Sequence, residues 1–82
     1  MVYLINGLPE EIKEQITDAM NHSKDLCFKI CHDFYKSLTK HNMNDKEIDF
    51  LKDAIEPPNT DTFIFYVLKH IIEASPYPRF AP

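Results

Sequence analysis

Apolar side chains recur along this chain at three- and four-residue steps, which is the spacing of one face of an α-helix. The spacing runs without interruption from residue 9 to residue 41, and charged side chains occupy the opposite side. Apart from Ser23 the stripe is apolar: Ile12, Ile16, Ala19, Met20, Ser23, Leu26, Cys27, Ile30, Cys31, Phe34 and Leu38. This pattern predicts a first helix over residues 9–41.

The length of this first helix decides how the rest of the chain can pack. A continuous helix over residues 9–41 would be about 50 Å long, which two short helices in the same subunit do not cover. Either the helix breaks near Asn21, His22 and Ser23, which gives four helices, or a second subunit covers the overhang. Because neither Pro nor Gly interrupts the stripe, the sequence favours one long helix and a homodimer.

A second helix is predicted over residues 45–55. Asn44 and Glu47 have the spacing of a capping box, in which each side chain accepts a hydrogen bond from the other residue's backbone N–H. The buried positions would be Ile48, Leu51, Ala54 and Ile55. The sequence Glu56-Pro57-Pro58 ends the helix, because proline lacks an N–H and restricts the residue before it.

The most apolar stretch, FIFYVLKHII from residue 63 to residue 72, predicts a third helix over residues 61–74. A buried strand is the alternative for a short apolar run. A helix is favoured because the run continues to Ala74 and because Asn59, Thr60 and Asp61 can cap its start. Its apolar arc spans about 200°, which predicts contact with at least two other elements.

The two ends of the chain are predicted to be extended. Residues 1–8 form an arm that contains the turn pair Asn6-Gly7, and residues 75–82 form a tail with three prolines. The sequence therefore predicts a single all-α domain over residues 1–82. It is a small helical bundle with one long N-terminal helix, a short helix and an apolar third helix.

Composition narrows the classes of function. A net charge of −4 makes nucleic-acid binding unlikely, because Lys and Arg carry the contacts to phosphate. No apolar run has the roughly 18–20 residues that a membrane helix needs, and the N-terminus lacks the pattern of a signal peptide. Two cysteines without that signal indicate free thiols in a reducing compartment. These features predict a cytoplasmic protein with no membrane contact.

The sequence offers no convincing catalytic, cofactor or metal site. Cys27, Cys31 and His32 are residue types that bind zinc, but on a helix His32 points about 100° away from Cys31. Cys27 and Cys31 also lie in the apolar stripe, where free cysteine packs as a small hydrophobic residue. We therefore expect no cofactor and no enzyme activity.

Two features could contact a partner. Phe28 and Tyr35 lie seven residues apart beside the stripe, either at the edge of the core or as a contact ridge. Asp45, Asp49 and Asp53 form an acidic ridge with Glu56 nearby. Residues 45–61 hold six acids and two lysines, which equals the net charge of the whole chain. This segment is either a solvated face or a docking strip for a basic partner.

The sequence thus predicts a non-catalytic protein–protein interaction module, acting as an adaptor, regulator or inhibitor. A small helix-turn-helix DNA regulator is the alternative, although its reading helix would present Phe65 and Ile72 rather than Arg, Asn or Gln. A metal- or thiol-dependent enzyme ranks third. The candidate contact residues are Phe28, Tyr35, Asp45, Asp49, Asp53, Glu56, Phe65, Tyr66, Tyr77 and Phe80.

Overall fold

The computed structural model describes residues 8–78 and shows four helices in this range. They are α1 (Glu10–Met20), α2 (Lys24–Thr39), α3 (Asp45–Ile55) and α4 (Asp61–Ala74), with no strand among the described residues. α1 packs on α2 and α3 on α4, and contacts of α2 with α3 and α4 join the two pairs. The prediction of a small all-α bundle is confirmed. Most of the predicted arm, residues 1–7, and the end of the tail, residues 79–82, lie outside the described residues.

The prediction of one continuous helix over residues 9–41 is wrong, and the alternative break near residue 22 is what forms. Ser23 has an extended backbone, with φ −161° and ψ 135°, and its hydroxyl oxygen accepts a hydrogen bond from the Leu26 N–H at 3.2 Å. A Ser side chain at this position satisfies a backbone N–H that a new helix would otherwise leave unpaired. The chain therefore reverses direction at residues 21–23 without a Pro or Gly.

α2 also ends earlier than predicted. Its last residue is Thr39, and Lys40 takes the left-handed conformation, with φ 63° and ψ 18°. The buried Thr39 hydroxyl lies 3.0 Å from the Tyr35 carbonyl oxygen and accepts the His41 N–H at 3.2 Å. The Lys40 N–H still bonds to the Lys36 carbonyl, and the Thr39 hydroxyl supplies an acceptor for the next N–H, so the chain can leave the helical path there.

α3 and α4 start and end at the residues that the sequence predicts. At the start of α3, Asn44 accepts the Glu47 N–H at 2.8 Å and Glu47 accepts the Asn44 N–H at 3.0 Å, which completes the capping box. The Thr60 hydroxyl accepts the Phe63 N–H at the start of α4. Local hydrogen bonds of Asn44, Glu47 and Thr60 therefore define where α3 and α4 begin.

All four helices contribute to one buried cluster of apolar side chains. α4 supplies Ile64, Val67, Leu68, Ile71 and Ile72 to this cluster. These five positions occupy one side of the helix, so the opposite side of α4 faces solvent and still carries large apolar side chains. That exposed side, together with the neighbouring part of α3, forms the candidate site.

Candidate partner-binding surface

Large apolar side chains are exposed mainly on the α3–α4 pair. The exposed fractions are 48% for Phe50 on α3, and 43% for Phe63 and 66% for Tyr66 on α4. Among the described residues only Leu26, on α2, joins them as an exposed large hydrophobic residue, at 42%. Concentration of such side chains on one part of a surface is typical of a contact site, because single ones are normally scattered.

These side chains share one face. Phe63, Tyr66 and His70 are spaced i, i+3 and i+7 on α4, which places them in a row about 10 Å long. The Phe50 ring of α3 meets the His70 ring, with centroids 6.2 Å apart and planes inclined by 43°. We call the set Phe50, Phe63, Tyr66 and His70 the aromatic surface.

A recess lies beside the aromatic surface, between the start of α3 and the end of α4. Its volume is about 300 Å³, and it is lined by Asn44, Lys46, Glu47, Phe50, His70, Ile71, Ala74 and Pro76. This is the lower end of the size range of ligand pockets, so the recess suits one or two side chains of a partner rather than a large cofactor.

The predicted acidic ridge lies on the same helix as Phe50. Asp45, Asp49 and Asp53 are exposed at successive i, i+4 positions of α3, and none of them forms an ion pair with another described residue. Glu56 differs, because its carboxylate lies 2.8 Å from the Lys24 ammonium group of α2. The structure therefore leaves three of the four predicted acids without a cationic partner in the described part of the chain.

The Phe28–Tyr35 contact ridge does not form. Tyr35 has 0% exposure and belongs to the core, so it cannot contact a partner on the surface. Phe28 is half-buried against the core, and its ring lies beside the ring of His32 and under the ammonium group of Lys52 at 5.5 Å. The alternative that the sequence left open, an edge of the core, describes both residues.

Tyr35 joins three parts of the fold through its hydroxyl group. This group donates toward the Glu47 carboxylate of α3, whose oxygens lie at 3.1 and 3.2 Å, and lies 3.1 Å from the Ser75 hydroxyl beyond α4. Burial raises the pKa of the Tyr35 phenol, and the negative charge of Glu47 raises it further, while the hydrogen bond with Ser75 opposes the change.

We expect a Tyr35→Phe variant to lose about 1 kcal/mol of stability at neutral pH, because the hydroxyl hydrogen bonds disappear. The raised pKa favours the neutral phenol in the folded state. Its stabilising effect is complete below the ordinary Tyr pKa of 10.0 and is lost as the pH rises through the higher folded value. The melting temperature of the variant should therefore fall less than that of the wild type as the pH rises above 10.0. Melting temperatures are measured by circular dichroism. If they fall equally with pH in the wild type and in the variant, this prediction is wrong.

Two of the remaining aromatic candidates, Phe65 and Tyr77, lie apart from the aromatic surface. Phe65 is half-buried against the core, and Tyr77 stacks on His41 with ring centroids 3.8 Å apart. Phe80 lies outside the described residues. The site thus gathers Tyr66 and the α3 acids but not Phe65 or Tyr77.

The sequence analysis did not identify Phe50 and Phe63 as exposed aromatic residues. Phe63 was assigned to the wide apolar arc of α4 and so to the core. Phe50 had a detectable signal: it is a large aromatic residue outside the stripe formed by Ile48, Leu51 and Ile55 on an amphipathic helix.

Cys27 and Cys31 are both fully buried in the core. A hydrogen bond between the two thiols, with burial as a second cause, raises the pKa of Cys31 above the ordinary range of a thiol. Cys31 is therefore a protonated, apolar packing residue. Among the described residues no group of three or more His, Cys, Asp or Glu side chains is arranged to hold a metal ion.

Comparison of the chain with protein-family models, with curated proteins and with solved structures finds no significant match. No helix in the described range is long and apolar enough to cross a membrane. The fold and surface define the class: a small four-helix domain with an aromatic surface on its α3–α4 pair.

Proposed function

We propose that this chain is a non-catalytic protein–protein interaction module whose contact site is the aromatic surface. The observation that carries the proposal is the exposure of Phe50, Phe63 and Tyr66 on one face of α3 and α4. Aromatic side chains are enriched at the centres of interfaces, where they bury a large area and lose little conformational freedom. Covering them with a partner removes apolar surface that the folded chain leaves in water.

The architecture suits an adaptor, regulator or inhibitor. The core is closed by the chain's own four helices, and its buried side-chain polar atoms all have hydrogen-bond partners within the described residues. Such a domain can present a preformed surface and bind with little reordering. Its buried thiols suit a reducing compartment, and we place its function in the cytoplasm.

The DNA-regulator alternative gains no support from α4. This helix would be the reading helix, and its exposed side carries Phe63, Tyr66 and His70. It contains no Arg, Asn or Gln, the residue types that make bidentate contacts with bases. The unpaired acids of α3 would also repel the phosphates.

The proposal is tested by cross-linking from inside the surface. A photo-reactive phenylalanine analogue replaces Tyr66, and a control protein carries it at the exposed Gln15 of α1. The proteins are irradiated in an extract of the cells in which the chain naturally occurs. We expect a discrete adduct from position 66 and none from position 15. The position 66 adduct should disappear when Phe50→Ser is added. No adduct, or the same adduct from both positions, would refute the proposal.

The partner identified in the adduct is then purified, and its affinity for the unmodified chain and for surface variants is measured. Phe50→Ser is expected to weaken binding at least tenfold, because truncating an aromatic anchor at an interface costs more than about 1.4 kcal/mol. Leu26→Ser is the matched control, since Leu26 has nearly the same exposed fraction but lies on α2. Equal losses from both substitutions would show that the contact lies elsewhere.

A further inference from the structure

The acidic ridge runs directly along the helix that carries Phe50. Asp45, Asp49 and Asp53 follow one another at single-turn steps of about 6 Å. Lys46 and Lys52 are also exposed on α3, and the Lys52 ammonium group lies 5.5 Å from the centre of the Phe28 ring of α2. The aromatic surface is therefore bordered on the α3 side by a mainly negative edge.

None of the three carboxylates forms an ion pair with another described residue, although Lys46 and Lys52 lie on the same helix. Like charges at i, i+4 destabilise a helix by about 0.2–0.5 kcal/mol per pair. Among the other exposed acids of the described chain, Asp33 and Glu56 have lysine partners at 2.9 and 2.8 Å, whereas others, such as Glu14 and Asp25, form no ion pair. The α3 ridge is thus an unneutralised edge beside an uncovered apolar surface.

We propose, building on the function proposed above, that the partner segment is a basic amphipathic helix. Its apolar side chains cover Phe63 and Tyr66 and place one anchor in the recess beside Phe50 and His70. Its Lys or Arg side chains, also spaced one turn apart, lie opposite Asp45, Asp49 and Asp53. An amphipathic helix seated along two packed helices is a recurrent mode of peptide recognition, and the charges set its orientation.

A second copy of this chain fits the surface less well. In a symmetric dimer the same patch contacts itself, so the interface would contain two acidic ridges and a chain with net charge −4 would face another. Like charges brought together at an interface oppose association. The charge pattern therefore favours a different, basic partner over self-association.

The test uses three fluorescein-labelled 18-residue probes with one common helical pattern of leucines. The polar positions are filled with Lys, Gln or Glu. Fluorescence anisotropy at moderate salt is expected to show binding of the Lys probe, binding about tenfold weaker for the Gln probe, and the weakest binding for the Glu probe. Phe50→Ser should remove binding of both the Lys and the Gln probes.

Two double variants with the same net charge isolate the ridge. Asp49→Asn with Asp53→Asn should abolish the preference for Lys over Gln, whereas Glu14→Gln with Asp25→Asn, on α1 and α2, should retain it. If both variants weaken the Lys probe equally, binding is unspecific attraction to an acidic protein and the inference is wrong.

Other outcomes separate this inference from the proposed function. Equal binding of the Lys and Gln probes, both sensitive to Phe50→Ser, would overturn the basic partner but support an apolar contact site. If no probe binds, the inference of a basic helical partner is wrong. The proposed function is then tested independently by the cross-linking experiment. Light scattering could instead give twice the chain mass of 9.6 kDa for the wild type and a single chain mass for Phe50→Ser. This result would show that a second copy covers the surface, and the inference would be wrong.

Discussion

A Leu68→Ala variant is expected to lose about 3 kcal/mol of unfolding free energy, because truncation of a buried leucine removes apolar contacts and leaves a cavity. Leu68 has 0% exposure and lies in the middle of α4, within the cluster that all four helices share. A domain of this size has a total stability of about 4–12 kcal/mol, so the loss is a large part of it. Urea denaturation followed by circular dichroism measures the change.

Tyr66→Ala is the matched control, because it truncates a large side chain two residues away on the exposed side of α4. Its effect on stability should stay within about 0.5 kcal/mol, since the substitution creates no cavity. The same variant should lose binding to the partner. A small effect at Leu68 together with a large effect at Tyr66 would mean that α4 faces the other way.

The sequence predicted α3 and α4 well because local chemistry specifies their ends. Asn44 and Glu47 cap α3 reciprocally, prolines follow it, and Thr60 caps α4. These signals act within a few residues and need no knowledge of the tertiary fold. In α4 the mostly apolar residues 63–72 follow the Thr60 cap, and this run is long enough to favour a helix over a strand.

The break in the first helix was missed because its local signal is weak. Ser23 is a good N-cap, but a cap contributes only about 1 kcal/mol, and the apolar stripe continues on both sides of it. The break also allows α1 to pack on α2 within one chain. This packing comes from contacts between residues far apart in sequence, which a periodic pattern does not reveal.

The site was harder to predict for the same reason. Tyr35 lies beside the apolar stripe, and its burial depends on the covering provided by Glu47 of α3 and by Ser75. Phe50 lies beside the stripe of α3 and is left uncovered. Helical periodicity places Tyr35 and Phe50 at the edges of the apolar stripes of their helices. Whether such an edge residue is buried depends on how the helix is rotated about its axis and on which helices pack beside it.

Glu47 connects the core to the candidate site. Its carboxylate accepts the Asn44 N–H of the capping box and the Tyr35 hydroxyl group, and its side chain also lines the recess. The hydrogen bonds of Tyr35 therefore hold the start of α3 against α2 and the Ser75 segment. A contact site is more selective when its walls are fixed in this way, because less ordering is needed on binding.

The connection between α1 and α2 should control the oligomeric state. Replacing Asn21, His22 and Ser23 together with alanine is expected to produce a dimer that exchanges α1 between subunits. Alanine favours a helix by about 0.5 kcal/mol over each original residue, and removing the Ser23 hydroxyl deletes the cap that starts α2. A continuous helix then separates α1 from its own α2, and the lost packing is regained on a second chain.

Light scattering behind size exclusion, over a hundredfold range of concentration, measures this outcome. The wild type should stay at its chain mass of 9.6 kDa, and the triple variant should approach twice that mass as concentration rises. Replacing Gln15, Lys29 and Lys36 with alanine is the control, since these exposed positions already lie inside helices and cannot join α1 to α2. A triple variant that remains monomeric with unchanged helix content would show that packing of α1 on α2, rather than residues 21–23, enforces the break.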